Sequence, residues 1–422
     1  MKKLILLLLF LGMLGLMTYF RNELGLFSSF AFFLCSFILG ILYFSKETQF
    51  GEENFRRFPM WEMSIAALLI LAQFPLLATI FKGFPIAYSA GSDILPQMDA
   101  MLERVMQGEF PYKAIHVPNG QGEFYDIHSP YLTLFWLPFL LMKYLGIDFR
   151  WLIYLAFMFV SILQTYFVCK YSDTLLTKIA TIFLPAWVLY ACIHWEKMIF
   201  AHTAEFLIAS YYIFLCLSLF SRSVWLRAFA LCLCLLTKYL LIFWIPFYLF
   251  LVYKNEGKEP FWKITITLVI ASLGLYILPV LIYDRNFILN SLKHHEGTTL
   301  TFWGWQYILD KGVGIAFYYS QYFGGEISRK IKMLQISQFL LGILALIVPY
   351  YYYTKRKFSD YRFFALCCLN LHLVFIYHFI QSPFVYYYIV PVCVSLNVLL
   401  LFLASHKSST IFLQNKRDSV SS

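Results

Sequence analysis

The chain has 422 residues, 61% of them hydrophobic and 13% charged, with a net charge of +10. A soluble protein carries roughly 25% charged residues, so this composition excludes an ordinary water-soluble domain and puts apolar surface against lipid. The basic residues come in short runs between apolar segments, the pattern of membrane-protein loops, which argues against nucleic acid as a partner.

The start, Met1-Lys2-Lys3 followed by Leu4 to Phe20, has the look of a secretory signal. Its apolar run ends in Thr18-Tyr19-Phe20-Arg21 with no small-x-small cleavage site, so an uncleaved first span is expected. Further apolar runs fall at roughly 25–44, 63–81, 132–147, 152–169, 179–193, 198–220, 227–253, 264–283, 334–353, 363–381 and 386–404. Backbone groups in lipid must bond internally. The expectation is therefore an all-α, polytopic transmembrane bundle of about eleven to thirteen spans. The order is N-terminal spans (1–81), an external loop (82–131), a core bundle (132–283), a second external loop (284–333), and C-terminal spans with a tail (334–422). The nine cysteines (35, 169, 192, 216, 232, 234, 367, 368, 393) lie in or at the ends of apolar runs. They read as small apolar packing residues.

Lys254, Lys258 and Lys263 lie in one connection, Lys355, Arg356, Lys357 and Arg362 in another, and Lys407, Lys416 and Arg417 in the tail. Simple alternation puts these on one side with Lys2-Lys3, and the positive-inside rule makes that side cytoplasmic. Both long loops then face outward. Strict alternation would leave Lys170–Lys178 and Arg222–Arg227 outside, against the rule. Splitting 227–253 into a hairpin with Lys238 at its outer apex repairs the pattern. It also requires that 132–147, short and interrupted by Pro138, fail to cross.

The first loop carries most of the functional signal. Ile94, Leu95, Met98, Met101, Leu102, Val105 and Met106 form one stripe of an α-helix. That amphipathic helix is expected in the membrane interface, begun by Ser92 or Asp93 and ended by Gly108. Asp93 has two readings, a helix cap worth about 1 kcal/mol or a general base at the rim of a cavity. Asp99 lies on the polar side of the same helix, where a solvated face competes with a catalytic role. Beyond it come Gly108-Glu109-Phe110-Pro111-Tyr112 and Tyr125-Asp126-Ile127-His128-Ser129-Pro130-Tyr131.

Other polar residues stand out against the apolar runs. A Lys at the bilayer centre costs about 2.5–3.5 kcal/mol on insertion scales, so Lys238 calls for a reason: phosphate binding, snorkelling, or pairing with Glu205. His202 and Glu205 lie one turn apart and read as a hydrogen-bonded pair. Lys293-His294-His295-Glu296 is either a polar loop or an anion-binding cluster, and adjacent histidines are poor evidence for a metal site. Tyr350–Tyr353 and Tyr386–Tyr388 read as interfacial belt. Trp303 and Trp305 have the chemistry to stack on a sugar.

The order of Ser92-Asp93, amphipathic helix, Gly108-x-x-Pro111-Tyr112, Ser129-Pro130-Tyr131-Leu132 and Leu137-Pro138-Phe139 resembles the first external loop of GT-C membrane glycosyltransferases. It is most similar to the glycosyltransferase family 87 enzymes that use polyprenyl-phosphate mannose. Leu231 to Phe250, with Thr237-Lys238 between apolar helices, resembles that family's Leu-x-x-x-Lys hairpin. The resemblance covers roughly 85–255. The chain departs from it at His194-Trp195-Glu196-Lys197, where the family often has Gly-Gln, at Ser-Pro-Tyr in place of Tyr-Pro-Pro, and in two extra leading spans.

The resemblance implies a GT-C-like fold and transfer of a hexose, with mannose as the family's sugar, from a polyprenyl-phosphate donor to an envelope glycan or glycolipid. It implies Asp93 as catalytic base; Asp99, on the same helix, is the second catalytic candidate. The candidates for substrate binding in this chain are Tyr112, His128, Tyr131, Glu196, Lys197, Lys238, Lys293, His294 and His295. The expected partners are a lipid-linked sugar donor, a glycan or lipid acceptor and the membrane, of the bacterial inner-membrane kind. No cofactor is implied outright; a divalent metal stays open. The rival readings are a transporter or flippase, for which paired broken helices and repeat symmetry are the signature, and a glycan polymerase or ligase, for which more external Arg is expected.

Overall fold

The computed structural model describes residues 2–45, 48–49, 58–87, 93–118, 124–172, 174–304, 314–355 and 360–407. Ser92, Trp305, Arg356, Lys357, Lys416 and Arg417 lie outside them. The chain begins with α1 (Lys2–Met17), α2 (Arg21–Leu24) and α3 (Leu26–Leu42), then α4 (Met60–Leu71) and α5 (Phe74–Gly83). After α6 (Ile94–Met106) come two strands, β2 (Ile115–Pro118) and β3 (Phe124–Ile127); the two-residue β1 (Thr48–Gln49) pairs with β4 (His406–Lys407). The middle holds α7 (Thr133–Trp136), α8 (Leu140–Tyr144), α9 (Arg150–Tyr171), α10 (Leu175–Trp195), α11 (Lys197–Ala201), α12 (Glu205–Ser218), α13 (Val224–Leu235) and α14 (Trp244–Glu256). Next are α15 (Lys258–Ser272), α16 (Leu278–Tyr283), α17 (Phe287–Gly304), α18 (Ala316–Tyr322), α19 (Ile327–Lys355), α20 (Tyr361–His378) and α21 (Ile389–Ala404).

Among the described residues, seven helical stretches are long and apolar enough to cross a membrane. They are Met60–Gly83, Arg150–Tyr171, Leu175–Trp195, Lys258–Tyr283, Ile327–Lys355, Tyr361–His378 and Val385–Ala404. Shorter apolar helices at Phe27–Leu42, Glu205–Ser218 and Val224–Leu235 run beside them. Within the apolar stretch of Val385–Ala404, 94% of residues are buried, against 22% for Lys258–Tyr283. The former is therefore a central helix, and the latter presents its side chains, Ile270 and Ile282 among them, to the surroundings. All nine cysteines are free, and all but Cys35 are buried in this packing.

Contacts fix which ends lie together. Lys3 Nζ donates to Leu403 O at 2.5 Å and Thr177 Oγ1 donates to the same carbonyl at 3.3 Å. Arg227 holds Glu256 through two hydrogen bonds of 2.8 and 2.7 Å, and Arg362 Nη1 lies 3.5 Å from Phe220 O. Among the described residues, Lys170, Arg222, Arg227, Lys254 and Arg362, from four connections, thus share one end of the bundle. The hairpin at Lys238 produces this arrangement. Leu236 and Thr237 break the helix, a 3-10 turn spans Tyr239–Leu241, and α14 returns. The segment 132–147 is likewise two short helices around a 3-10 turn at Leu137–Phe139, whose proline has no N–H to give.

Several expectations need correction. Helices dominate as expected, and the exception is short: β2 and β3 form an antiparallel ribbon in which His116 faces Asp126. Ile115, Val117 and Ile127 of that ribbon bury one face against the α6 residue Ala100. Among its described residues, the second long loop, 284–333, is largely helical (α17, α18 and the start of α19), because its apolar residues are interspersed with polar ones rather than absent. The run 198–220 is two helices, broken at His202–Ala204. The run 63–81 bends between Ala72 and Gln73, ahead of Pro75.

Candidate functional site

At the end of the bundle opposite the basic residues, four interruptions converge: the start of α6, the 128–132 segment, the α11–α12 break and the Lys238 break. Arg150 and His202 hold them. The Arg150 guanidinium donates to Phe84 O at 2.7 Å, Phe81 O at 3.1 Å and Ala201 O at 3.3 Å, and its charge is met by Asp148 at 2.6 Å. Carbonyls at the last turns of α5 and α11 have no intrahelical partner, and one planar fork satisfies both ends. His202 lies 2.8 Å from Met198 O and 2.9 Å from Pro85 O, and its own carbonyl accepts from Leu95 N at 3.4 Å. His202 therefore does not pair with Glu205, as the sequence had suggested; the helix break turns the two side chains to different neighbours.

Glu205 is fully buried and its Oε1 lies 2.5 Å from Lys238 Nζ. The same ammonium sits 4.4 Å above the Tyr387 ring. Asp93 stands at the start of α6 but does not cap it; its Oδ2 accepts from Gln97 Nε2 at 2.6 Å instead. Three phenol hydroxyls, those of Tyr131, Tyr386 and Tyr387, each lie within the electrostatic reach of both Asp93 and Glu205. Asp93, Tyr131, Tyr386, Tyr387, Glu205 and Lys238 therefore form one cluster. The belt reading of Tyr386–Tyr388 is corrected: Tyr386 and Tyr388 are buried, and Tyr387 is part of this cluster.

Asp93 is open to solvent, yet crowding by protein pushes its carboxyl above the usual carboxylate range, with Gln97 and the His294 charge pulling the other way. It is thus reached by solvent on one side and flanked by protein on the other, a half-enclosed position that forms the recess of this site. His294 stands within reach of the Asp93 charge, its ring 6.4 Å from that of His128. Desolvation, then the His128 charge, hold His294 below the ordinary imidazole range. His295, on the next position of α17, turns to the Gln381 side chain. Trp303 Nε1 reaches Gln381 O at 2.8 Å, so this indole is an anchor for α17.

Among the described residues, five buried polar atoms near this cluster have no hydrogen-bond partner: Glu205 Oε2, the Tyr212 and Tyr377 hydroxyls, His128 Nδ1 and Ser129 Oγ. Each such orphan costs roughly 1–3 kcal/mol. Tyr212 and Tyr377 both lie close enough to Glu205 to feel its charge.

The remaining sequence candidates stand elsewhere. Asp99 pairs with Lys143 at 2.5 Å on the polar side of α6. Tyr112 is a structural pin, its hydroxyl bonded to Thr133 Oγ1 and Trp136 Nε1, each at 3.1 Å. Glu196 faces Arg21 rather than the recess. Lys197 and Lys293 are exposed. Asp126 joins His116 across the ribbon at 2.5 Å. Among the described residues, no three His, Cys, Asp or Glu side chains gather as a metal site.

Sequence reasoning missed Tyr386, Tyr387 and Gln381. The available signal was Gln381-Ser382-Pro383, a polar, helix-breaking tripeptide inside an apolar region. Comparison with known proteins gives no match to a family model, a curated protein or a solved structure.

Proposed function

We propose that the protein is a multi-pass membrane glycosyltransferase of GT-C type. It would move a hexose, with mannose as the first candidate, from a polyprenyl-phosphate donor to an envelope glycan or glycolipid. On this reading the shorter helices cross as well, giving about eleven to thirteen spans. The basic end is cytoplasmic, and the recess opens to the outer face of a bacterial inner membrane.

The observation that carries the proposal is Asp93: a solvent-reached carboxylate of raised proton affinity, in a recess walled by tyrosines and His294 at the end of an apolar bundle. In the reaction, the acceptor hydroxyl would lose its proton to an Asp93 oxygen as its oxygen attacks the anomeric carbon. The bond to the lipid phosphate breaks on the opposite face, with inversion. A positioned base of this kind contributes roughly 10²–10⁴-fold. The departing phosphate needs cationic or hydrogen-bond donors. Lys238 is committed to Glu205, so it would contribute through a shared network of lysine, carboxylate and tyrosine hydroxyls. Exposed Lys293 stands one position before His294 on α17.

Depth supports a lipid-borne substrate. Glu205 opens a helix of 14 residues, about 21 Å at 1.5 Å per residue. The recess floor therefore sits inside a hydrocarbon core roughly 30 Å thick, where a lipid phosphate can be presented from the side. The test is transfer from a labelled polyprenyl-phosphate hexose in membranes, comparing wild type with Asp93→Asn. Wild-type membranes that transfer no sugar from any such donor would sink the proposal.

A second reading, a carrier for a polar or lipid-linked solute, is favoured by one observation. The α11–α12 and α13–α14 helices are discontinuous and meet at a buried ion pair, as in transporters. It predicts solute flux in proteoliposomes without chemical change.

A further inference from the structure

The Glu205 carboxylate has a second oxygen that the Lys238 pair leaves unused. Oε1 takes the ammonium at 2.5 Å, while Oε2 is buried and has no hydrogen-bond partner among the described residues. Tyr212 stands seven positions further along α12, two turns up the same face. Helical side chains lean toward the N-terminus of their helix, so the Tyr212 hydroxyl leans back toward Glu205. Tyr377, in the last turn of α20, comes in from another helix and lies within the electrostatic reach of both Glu205 and Tyr212. Both tyrosines are fully buried, and neither hydroxyl has a hydrogen-bond partner among the described residues. The Cys234 thiol, beside both phenols, is only a weak donor. Three strong polar atoms from two helices are thus gathered in one buried place without bonding to one another.

We infer that these atoms form a binding site for one ordered water, which donates to Glu205 Oε2 and accepts from the Tyr212 and Tyr377 hydroxyls. Three hydrogen bonds are what a buried water ordinarily makes. Charge selects this occupant. Lys238 already balances Glu205, so a bound cation would leave a net charge in the interior, and an anion would face the carboxylate. A hydrocarbon group would leave all three atoms unbonded. The water gives the carboxylate a second fixed partner and carries the Lys238–Glu205 network on to α20. It is therefore a positioning element for the ion pair, and the inference is independent of sugar transfer at Asp93.

The experiment uses the full chain purified in a neutral detergent. X-ray hydroxyl-radical footprinting labels buried side chains that touch a bound water. In the wild type, Tyr212 and Tyr377 should be labelled despite their burial. Tyr43, equally buried with its hydroxyl on Ser395 O at 3.0 Å, should not. Labelling of both tyrosines no greater than that of Tyr43 would overturn the site, and this arm needs no variant to fold. Melting adds a sign. Losing a hydroxyl that is bonded to water costs stability, whereas losing an unbonded buried hydroxyl costs nothing or stabilises. Tyr212→Phe and Tyr377→Phe should each lower the melting temperature by a few degrees. The double variant should lose less than the sum, because both hydroxyls hold one molecule. Single variants that melt at or above wild type, or losses that simply add, would each overturn the shared water. Stabilisation of the wild type by sodium chloride and not by choline chloride would overturn the choice of water in favour of a cation.

Discussion

Lys238 and Glu205, 33 residues apart in the chain, meet at 2.5 Å where two helices break. Neither charge has another opposite partner among the described contacts. Removing one leaves the other buried and uncompensated, which costs roughly 3–5 kcal/mol. Lys238→Met is therefore expected to lower the melting temperature sharply in detergent. The double change Lys238→Met with Glu205→Gln should recover most of the loss. A single variant that melts like wild type would show that the pair does not hold the two breaks together.

Asp93 separates chemistry from architecture. Its side chain caps nothing, so Asp93→Asn should insert and purify normally while transfer falls by at least about a hundredfold. The diagnostic measurement is turnover at saturating donor. A rate within a few-fold of wild type would move the base elsewhere or remove the glycosyltransferase reading altogether.

The pH dependence follows from the same group. Its carboxyl is raised above the value it has in the unfolded chain. Between those two values the folded protein binds more protons, so stability falls as pH rises through that window and is level above it. Asp93→Asn should then melt no lower than wild type at neutral pH. Transfer needs the carboxylate, so its rate should climb with pH and level off above the ordinary carboxylate value of about 4. A rate that stays flat down to about pH 4 would contradict the assignment.

Asp99 should behave as a surface partner of Lys143. Partly exposed ion pairs contribute under about 1 kcal/mol. Asp99→Asn is expected to shift melting slightly and to leave transfer within a few-fold of wild type. A loss as large as that of Asp93→Asn would return Asp99 to the chemistry.

Topology can be read with little engineering, because eight of the nine native cysteines are buried. In a Cys35→Ser background, Glu296→Cys should react with an impermeant thiol reagent in intact cells and Lys263→Cys only after permeabilisation. The reverse pattern would invert the bundle and put the recess on the cytoplasmic side.

The helix of the first loop was legible because its stripe of Ile94, Leu95, Met98 and Met101 repeats with a helical period. The break at Lys238 was legible because a lone cation interrupts a run too long for one span. The pairing with Glu205 was only one option, since a sequence fixes the cost of each buried charge and not which charges meet. The ribbon was missed because His116-Val117 and Asp126-Ile127 alternate for too few residues to register as period two. The helical nature of 287–304 was hidden by two histidines, a lysine, a glutamate and two glycines, which lower apparent hydrophobicity without preventing a helix.

The Arg150 clamp also decides which wall of the recess is free to move. One guanidinium binds carbonyls of α5 and α11 at once, so those segments shift only as a unit, and lysine, lacking the planar fork, cannot replace it. On the opposite side, α17 is held by ring contacts, Phe287 on Tyr112 at 5.1 Å and Phe302 on Phe384 at 5.4 Å, and by Trp303 Nε1 on Gln381 O at 2.8 Å. Ring contacts lack the direction of a charged fork, so α17 is the wall with more freedom to slide. Cross-linking α17 to the 381–388 segment should raise the melting temperature more than cross-linking α5 to α11.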